Sequence, residues 1–518
     1  MMKIIIFPFL FLFVFYSIFC ESYRILGIVP TPSYSHQLAY KNLWNELALK
    51  GHNVTVITTN PQNNTNLHEI DFSSAYNLWH KKYDYKNLPF SQDTITFLLT
   101  IYDMLADTAN HGLDNPELQR LYTEKNSTFD LVMVEELYPE FLMLGEFFNC
   151  PTVTLTSYES PSWIFAAYDS ENHPILYPEF FVPHTNELDF KYRLTSTLSY
   201  LLLKYIKHRS YSARYVLLKK RFGTNAIPLD DLLSRSSMMF ISVSPLLMSQ
   251  RALSARIVNI GVGSTIETPR PLDAIYQRFL DSSSQGAIYF SLGTNVQPEL
   301  FPTQIILQIF ELFRELPYNI MWKINFKDEE FIKKKPKNVL TDSWFPQQDI
   351  LRHPNIKLFV TQGGMQSLEE AIHFKIPLVG IPMFADQISN VKRMETKGVL
   401  FTVLPKPELS ISKLKEAILT VINDQSYYEN MKKLNKRNMD QPMTGLERGV
   451  WWTEYVIRHH GDISHLVHLP SKKIGFFQYY LLDIISLMIL TVGVMLWAFY
   501  ALVKRIFSHK QDIYKKNR

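Results

Sequence analysis

The sequence predicts an α/β protein made of two consecutive, doubly wound halves followed by one membrane-spanning helix. Three observations carry that expectation. Short apolar, β-branched runs alternate with stretches of helical period along most of the chain. The alternation pauses at a run of turn residues, 261–271 (GVGSTIETPRP), and then restarts. Finally, residues 484–503 carry no charge, enough apolar chain to cross a bilayer as a helix, and Lys504 and Arg505 follow at once.

Residues 23–30 (YRILGIVP) read as the first buried strand, and 37–50 show helical spacing before Gly51 stops them. Residues 52–58 form the second strand, β-branched enough for a parallel sheet buried on both faces. Between 71 and 122 the pattern weakens into aromatic-rich helices, a place where a pocket for an apolar ligand can be built. Strands return at 130–135 (DLVMVE) and 150–156. The basic, Leu- and Tyr-rich segment 188–222 is a long helix, for which contact with a membrane surface, a pocket wall and plain core packing all stay open. Segments 237–242 and 257–260 close a first Rossmann-like domain at 21–261. After a linker, 262–275, the second domain spans 276–460, with strands at 287–292 (AIYFSL) and 319–324 around a helix at 303–316. It ends on a closing amphipathic helix, 445–460, whose large aromatics need a partner surface. A juxtamembrane stretch 461–480, the span 481–503 and a basic tail 504–518 complete the chain.

The composition, 46% hydrophobic and 20% charged over 518 residues, is that of a folded protein. A formal charge of only +4, with Lys and Arg scattered, argues against nucleic acid as a partner. Residues 1–20 have the early lysine and long apolar run of a secretory signal. If Cys20 leaves with it, Cys150 stands alone and no intrachain disulfide forms. The basic tail after the span places the tail in the cytosol and the bulk in the lumen. Its last residues, Lys515-Lys516-Asn517-Arg518, resemble a dilysine retrieval signal, which implies the endoplasmic reticulum membrane. Of the sequons, Asn63 and Asn126 lie in polar surroundings, whereas Asn53 falls in a core strand and is expected to be unused.

The most informative stretch is 359–390, FVTQGGMQSLEEAIHFKIPLVGIPMFADQISN. A strand at 357–360 breaks at Gly363-Gly364 into a helix at 365–374, so backbone N–H groups at a helix start face whatever sits there, an anion site. A second strand, 376–381, is stopped by Pro382, and Asp386 and Gln387 then fall at its carboxyl end, where ligands of α/β sheets gather. Phosphate below and hydroxyls above suggest a nucleotide sugar. Together with Trp344-Phe345-Pro346-Gln347, this run resembles the signature of UDP-glycosyltransferases, over much of the C-terminal half. These are membrane-bound enzymes of the GT-B type, with two facing Rossmann-like domains, that move a sugar from a UDP donor to a small lipophilic acceptor.

The resemblance implies roles for named residues. His36, in the loop after the first strand, matches the family's catalytic histidine, the base that takes the acceptor's proton. The family's orienting aspartate corresponds to Glu135, with Glu136 as the alternative. Trp344 offers a face for uracil, and Gln347 an amide at its edge. Glu370, one turn past Gln366, is placed for ribose hydroxyls; Ser291, Gly293 and Thr294, with Gln362, Gly363, Gly364 and Gln366, serve the diphosphate; Asp386 and Gln387 serve the sugar. Gln362 stands where many members have histidine, a change that resembles the arthropod branch, and being uncharged it shifts leaving-group support to the helix start and Ser291. That branch favours glucose as the transferred hexose, with UDP-glucuronic acid as the alternative donor. No Asp-x-Asp or His/Cys ligand cluster appears, so neither metal nor cofactor is expected beyond the UDP-sugar substrate. A homo-oligomer stays open, as does a non-catalytic, membrane-anchored binder of UDP-sugars or lipophiles.

Overall fold

The computed structural model describes residues 21–83, 94–124, 127–182, 185, 187–294, 296, 301–325, 329–405, 409–467 and 474–516. Residues 1–20, Asn126 and Asn517-Arg518, which carry part of the targeting and glycosylation expectations, lie outside them.

Two wholly parallel sheets organise the chain. The first contains β1 (Arg24–Val29), β2 (Asn53–Thr58), β3 (His68–Asp71), β4 (Leu131–Glu135), β5 (Thr152–Thr156), β6 (Met238–Ile241) and β7 (Ile257–Asn259). Its order is β3-β2-β1-β4-β5-β6-β7. The second contains β8 (Ala287–Ser291), β9 (Asn319–Lys323), β10 (Val339–Asp342), β11 (Ile356–Thr361), β12 (Leu378–Gly380) and β13 (Leu400–Thr402), in the order β10-β9-β8-β11-β12-β13. Each sheet reverses its winding once, between β1 and β4 and between β8 and β11. Such a reversal splays the flanking loops apart and opens a crevice at the strands' carboxyl ends.

The strands read correctly from the sequence are the central ones and, at one edge, the apolar β7. Buried on both faces, they are continuous apolar runs, and β1, β4 and β8 hold almost nothing that water can reach. β3, β10 and β13 escaped notice because they sit at sheet edges and carry polar residues, as in HEID and VLTD. The second sheet shows the period of two plainly. Tyr289 and Phe359 join the apolar cluster that also fills the first half, whereas Ile288, Phe290, Leu358 and Val360 face a separate cluster around Trp322.

The helices that frame the two crevices and the anchor are α1 (Tyr34–Leu49), α2 (Thr94–Leu113), α3 (Phe190–Phe222), α4 (Met365–Phe374), α5 (Gln387–Thr396), α6 (Gly445–Arg458) and α7 (Leu482–Lys516). One compact unit runs through Ile463, and residues 464–518 form a second. Within the second unit, Leu482–Phe507 is long and apolar enough to cross a membrane. The helix continues through the basic tail to Lys516.

The closing helix α6 corrects one expectation. It starts on a capping box, with the Thr444 hydroxyl accepting from the Glu447 N–H and the Glu447 carboxylate accepting from the Thr444 N–H. The face turned to the first half is made of small and aliphatic residues, Gly445, Gly449, Val450, Thr453, Val456 and Ile457, not of the large aromatics. Trp451 is 44% exposed and stacks on Tyr455, which in turn meets Trp452 and His459. The aromatics satisfy one another on the outer face. Small residues are required inside because the backbones nearly touch: a Cβ on Gly445 would stand 2.1 Å from the Ile260 carbonyl oxygen. Asn53 corrects another reading, since it opens β2 from an exposed position and burial does not bar its sequon.

Gly445→Leu therefore wedges α6 off the first half and costs about 1–3 kcal/mol, the usual range for overpacking. Trp451→Ala, on the outer face, costs less. A lower melting temperature for the glycine variant than for the tryptophan variant is the expected result of thermal unfolding.

Candidate active site

The first crevice is built from two loops that the sheet order forces together. β1 and β4 are parallel neighbours, with Ile28 opposite Val134, so the loop after β1 and the last residue of β4 share one edge. Gln37, buried in the first turn of α1, ties that loop down: its amide donates to the Val29 and Thr31 carbonyls, both at 2.9 Å, and accepts from the Thr58 hydroxyl at 2.8 Å. His36 is thereby aimed at Glu135, whose Oε1 contacts His36 Nδ1. The other carboxylate oxygen accepts from the Thr31 hydroxyl at 2.6 Å.

Glu135 is 1% exposed, so its charge is held by these two partners rather than by water. With the carboxylate accepting at Nδ1, Nε2 is the nitrogen left to take up a proton. Glu136 takes no part in this. It points into a buried pocket where Ser160 donates to it at 3.0 Å, and burial pushes its carboxyl up to about 7. The extra methylene of Glu135 relative to aspartate leaves it within reach of the imidazole.

The second crevice lies between the ends of β8 and β11. Ser291, Gly293 and Thr294 leave β8; Gln362, Gly363 and Gly364 leave β11 and lead into α4, whose first-turn N–H groups belong to Met365, Gln366 and Ser367. Gly293, at φ 80°, packs against the Gln362 side chain, and a Cβ there would meet Gln362 Nε2 at 2.1 Å. Gln362 is itself buried and accepts from the Thr361 hydroxyl at 3.2 Å. Lys323, at the end of β9, donates to the Gly293 carbonyl at 3.1 Å and lies 4.5 Å from the centre of the Trp344 ring. It is a cation beside the second crevice that strand periodicity gave no reason to single out.

Trp344 is 47% exposed and meets the edge of Tyr34 from the other half, ring centres 5.0 Å apart. Gln347 and Gln348 both donate to Glu370, at 2.6 and 2.9 Å, so both carboxylate oxygens of this buried residue are engaged. Burial pushes Glu370 up to about 7, against the pull of the two amides. Past β12, Gln387 Oε1 accepts the N–H groups of Met383 and Phe384, at 2.9 and 3.3 Å, and bends the chain so tightly that Ala385 sits at φ 54°. A non-glycine residue there is strained, and the strain is held beside Asp386. Asp386 accepts from Asn390 at 2.7 Å, and burial raises its carboxyl above the ordinary range.

Both crevices open into one cavity of 320 Å³. Its walls bring together His36, Gly293, Thr294, Trp344, Gln347, Gln362, Gly364, Gln366, Glu370, Asp386 and Gln387. Ser291 and Gly363 stand behind this lining, while Glu135 reaches it through His36. A bond of 3.0 Å from Gln366 Nε2 to the Ser157 carbonyl joins the halves beside the imidazole, whose Nδ1 is 3.4 Å from Ser157 Oγ. On the side of the first half the wall is apolar and aromatic, with Trp79, Phe97, Leu98, Ile101, Tyr102 and Phe180. Thr31, Gln37, Ser157, Lys323 and Gln348 are the site residues that sequence reasoning missed; each acts through a bond to chain distant in sequence, which no local pattern announces.

Comparison with known proteins agrees with this geometry. The family described as "UDP-glucoronosyl and UDP-glucosyl transferase" matches residues 25–518. The chain belongs to that family. UDP-glucosyltransferase 2 of Dactylopius coccus is 29% identical over 95% of this chain and 96% of its own length. The ecdysteroid UDP-glucosyltransferase of Spodoptera littoralis nuclear polyhedrosis virus is 29% identical over 90% of this chain and 94% of its own. Among solved structures, the glycotransferase of kitacinnamycin superposes with a TM-score of 0.58 at 18% identity, over 84% of this chain and 99% of that one, which shows a shared GT-B fold. The protein is a UDP-glycosyltransferase, an enzyme that transfers sugar from a UDP-sugar.

In this transferase the halves also meet through a third buried carboxyl. Glu369 on α4 accepts from the Ser244 N–H of the first half with Oε1, while Oε2 has no hydrogen-bond partner, and burial pushes the group up to about 8. Unfolded, each of Glu136, Glu369 and Glu370 releases its proton near 4.5; folded, each keeps it to about 7 or 8. Between those values the native state binds more protons than the unfolded one, so stability falls as pH rises through the window. Glu369→Gln keeps the acceptor for Ser244 but cannot ionise. Melting temperatures measured from pH 5 to pH 8.5 are expected to decline less steeply for this variant than for the natural protein; parallel slopes would show that Glu369 does not titrate there.

Proposed function

We propose that the enzyme transfers a hexose, glucose in preference, with inversion from the UDP-sugar to a hydroxyl of a small lipophilic acceptor. The observation that carries this reading is the cavity shared by the His36–Glu135 pair and the second crevice. An acceptor hydroxyl held against the aromatic wall gives its proton to Nε2 of His36 as its oxygen attacks the anomeric carbon. Attack from the face opposite the departing UDP inverts that carbon. Glu135 holds the ring and balances the imidazolium that forms, and Thr31 in turn holds Glu135.

On the donor side, Trp344 takes the uracil and Gln347 with Glu370 the nucleoside. The diphosphate meets the start of α4, Ser291, Thr294 and Lys323, which together offset the charge growing on the leaving group. Asp386 and Gln387 take the sugar hydroxyls. A carboxylate at that end, with the nearby Arg393 already paired to Glu159, favours a neutral sugar over glucuronate. The names of the two glucosyltransferase relatives support the same donor. The uncharged, aromatic acceptor wall suits a flat or polycyclic alcohol. We place the catalytic part in the lumen of the endoplasmic reticulum, anchored by α7 with its basic end in the cytosol, on the charge asymmetry around the span.

UDP release from UDP-glucose, followed with a panel of phenols and alcohols, tests the reading. His36→Ala is expected to lower the rate by roughly 10²–10⁴-fold. Glu135→Gln should lose more activity than Glu136→Gln, whose side chain does not touch the imidazole. Release unchanged in His36→Ala would remove the base and favour a binding protein. Faster release from UDP-glucuronic acid than from UDP-glucose would overturn the donor.

A further inference from the structure

The helix α3 carries an apolar stripe on the wrong side for a soluble protein. Its inner face buries Ser196, Leu203, Ile206, Ser210, Arg214 and Leu218, and the buried Arg214 is locked to Glu140 and to the Leu137 carbonyl, which fixes the helix's rotation. Directly opposite, Phe190, Leu194, Leu198, Leu201 and Tyr205 are exposed to 72, 47, 56, 53 and 63%. At about 100° per residue these five fall within about 80° of arc, along about 22 Å of helix. Past Tyr205 the same face turns polar, with His208, Arg209 and Ser212 exposed. Leu176, 59% exposed, lies in a loop bonded to the first half of the stripe's helix through Ser196 and the Pro174 carbonyl.

Charge narrows what can cover this stripe. Helix α3 contains no Asp or Glu, and Lys191, Arg193 and Lys204 flank the apolar residues on both sides. A second copy placing the same face against itself would oppose cation to cation along the helix. A layer of phosphate-bearing headgroups above acyl chains complements both features at once. The chain supplies the tether, since along the sequence only residues 464–481 separate the folded body from α7.

We propose that α3 is a second membrane contact, lying in the headgroup region with Phe190, Leu194, Leu198, Leu201 and Tyr205 turned to the acyl chains. The proposal rests on reading α7 as a span. The acceptor pocket takes its wall from α2, which packs against α3, so this contact also sets the pocket close to the lipid phase in which lipophilic alcohols dissolve.

The test uses the full chain in nanodiscs holding one copy each, with cysteine in place of Leu198 or, as a control, Lys413, labelled with an environment-sensitive fluorophore. Cys150 stays unlabelled at neutral pH, because burial pushes its thiol up to about 12. Nitroxide-bearing lipids are expected to quench the label at Leu198→Cys several-fold more than at Lys413→Cys, and more in anionic than in neutral discs. Equal quenching at both positions in loaded discs would overturn the contact while leaving the span intact, as would quenching at Leu198→Cys that appears only with two copies per disc. A chain that stays out of the discs would overturn the span, and the contact with it.

Discussion

Everything functional here depends on one pairing, that of β1 with β4. The two strands are separated by about a hundred residues, yet they lie side by side because the sheet reverses its winding at that point. The pairing sets the carboxyl end of β4 against the loop after β1, and so sets Glu135 against His36. The bonds from Gln37 and Thr31 then remove the remaining freedom of the loop. The second sheet repeats the device with β8 and β11, and the two reversals face each other across one cavity. A cavity of this kind is less a motif than a consequence of strand order, applied twice.

Buried carboxyls recur inside each half and at the interface between them. Glu136, Glu369 and Glu370 are all buried and all held toward the neutral form, and the buried Glu159 pairs with Arg393 across the interface at 3.0 Å. Burying acids without full partners is costly. Around Glu370 the cost fixes Gln347 and Gln348 at the floor of the second crevice, and around Glu369 it joins α4 to the first half. Polar groups placed this way trade stability for a defined mutual position of the two domains.

How much of this could be read in advance follows from where each signal resides. The central strands and the glycine turn before α4 are local events, written in runs of a few residues, and they stood out. So did Trp344, Gln362, Asp386 and Gln387, which belong to one continuous stretch. The edge strands β3, β10 and β13 were hidden because they carry polar residues, and the inner face of α6 because its decisive residues are glycines rather than tryptophans. Residues such as Thr31 and Ser157 have no sequence signal at all: their partners Glu135 and Gln366 lie about 100 and 210 positions away, and only the closed fold brings them together. Glu135 was legible as a position, through its place at the end of a strand, but its separation from Glu136 in role required the opposite pointing of successive side chains to be seen against real neighbours.

The return of α6 to the first half has a mechanical meaning. The polypeptide crosses between the domains twice, once through the linker after β7 and again just before Gly445, and the second crossing is clamped where that glycine's N–H bonds the Val262 carbonyl at 2.9 Å. Those crossings therefore run side by side, like two leaves of a single door hinge. A body suspended from one strand of chain can swivel in any direction, whereas one hung from two adjacent strands turns most easily about the line that joins them. Opening and closing of the cavity can then use a single angle, with the same set of facing residues recovered each time the door shuts.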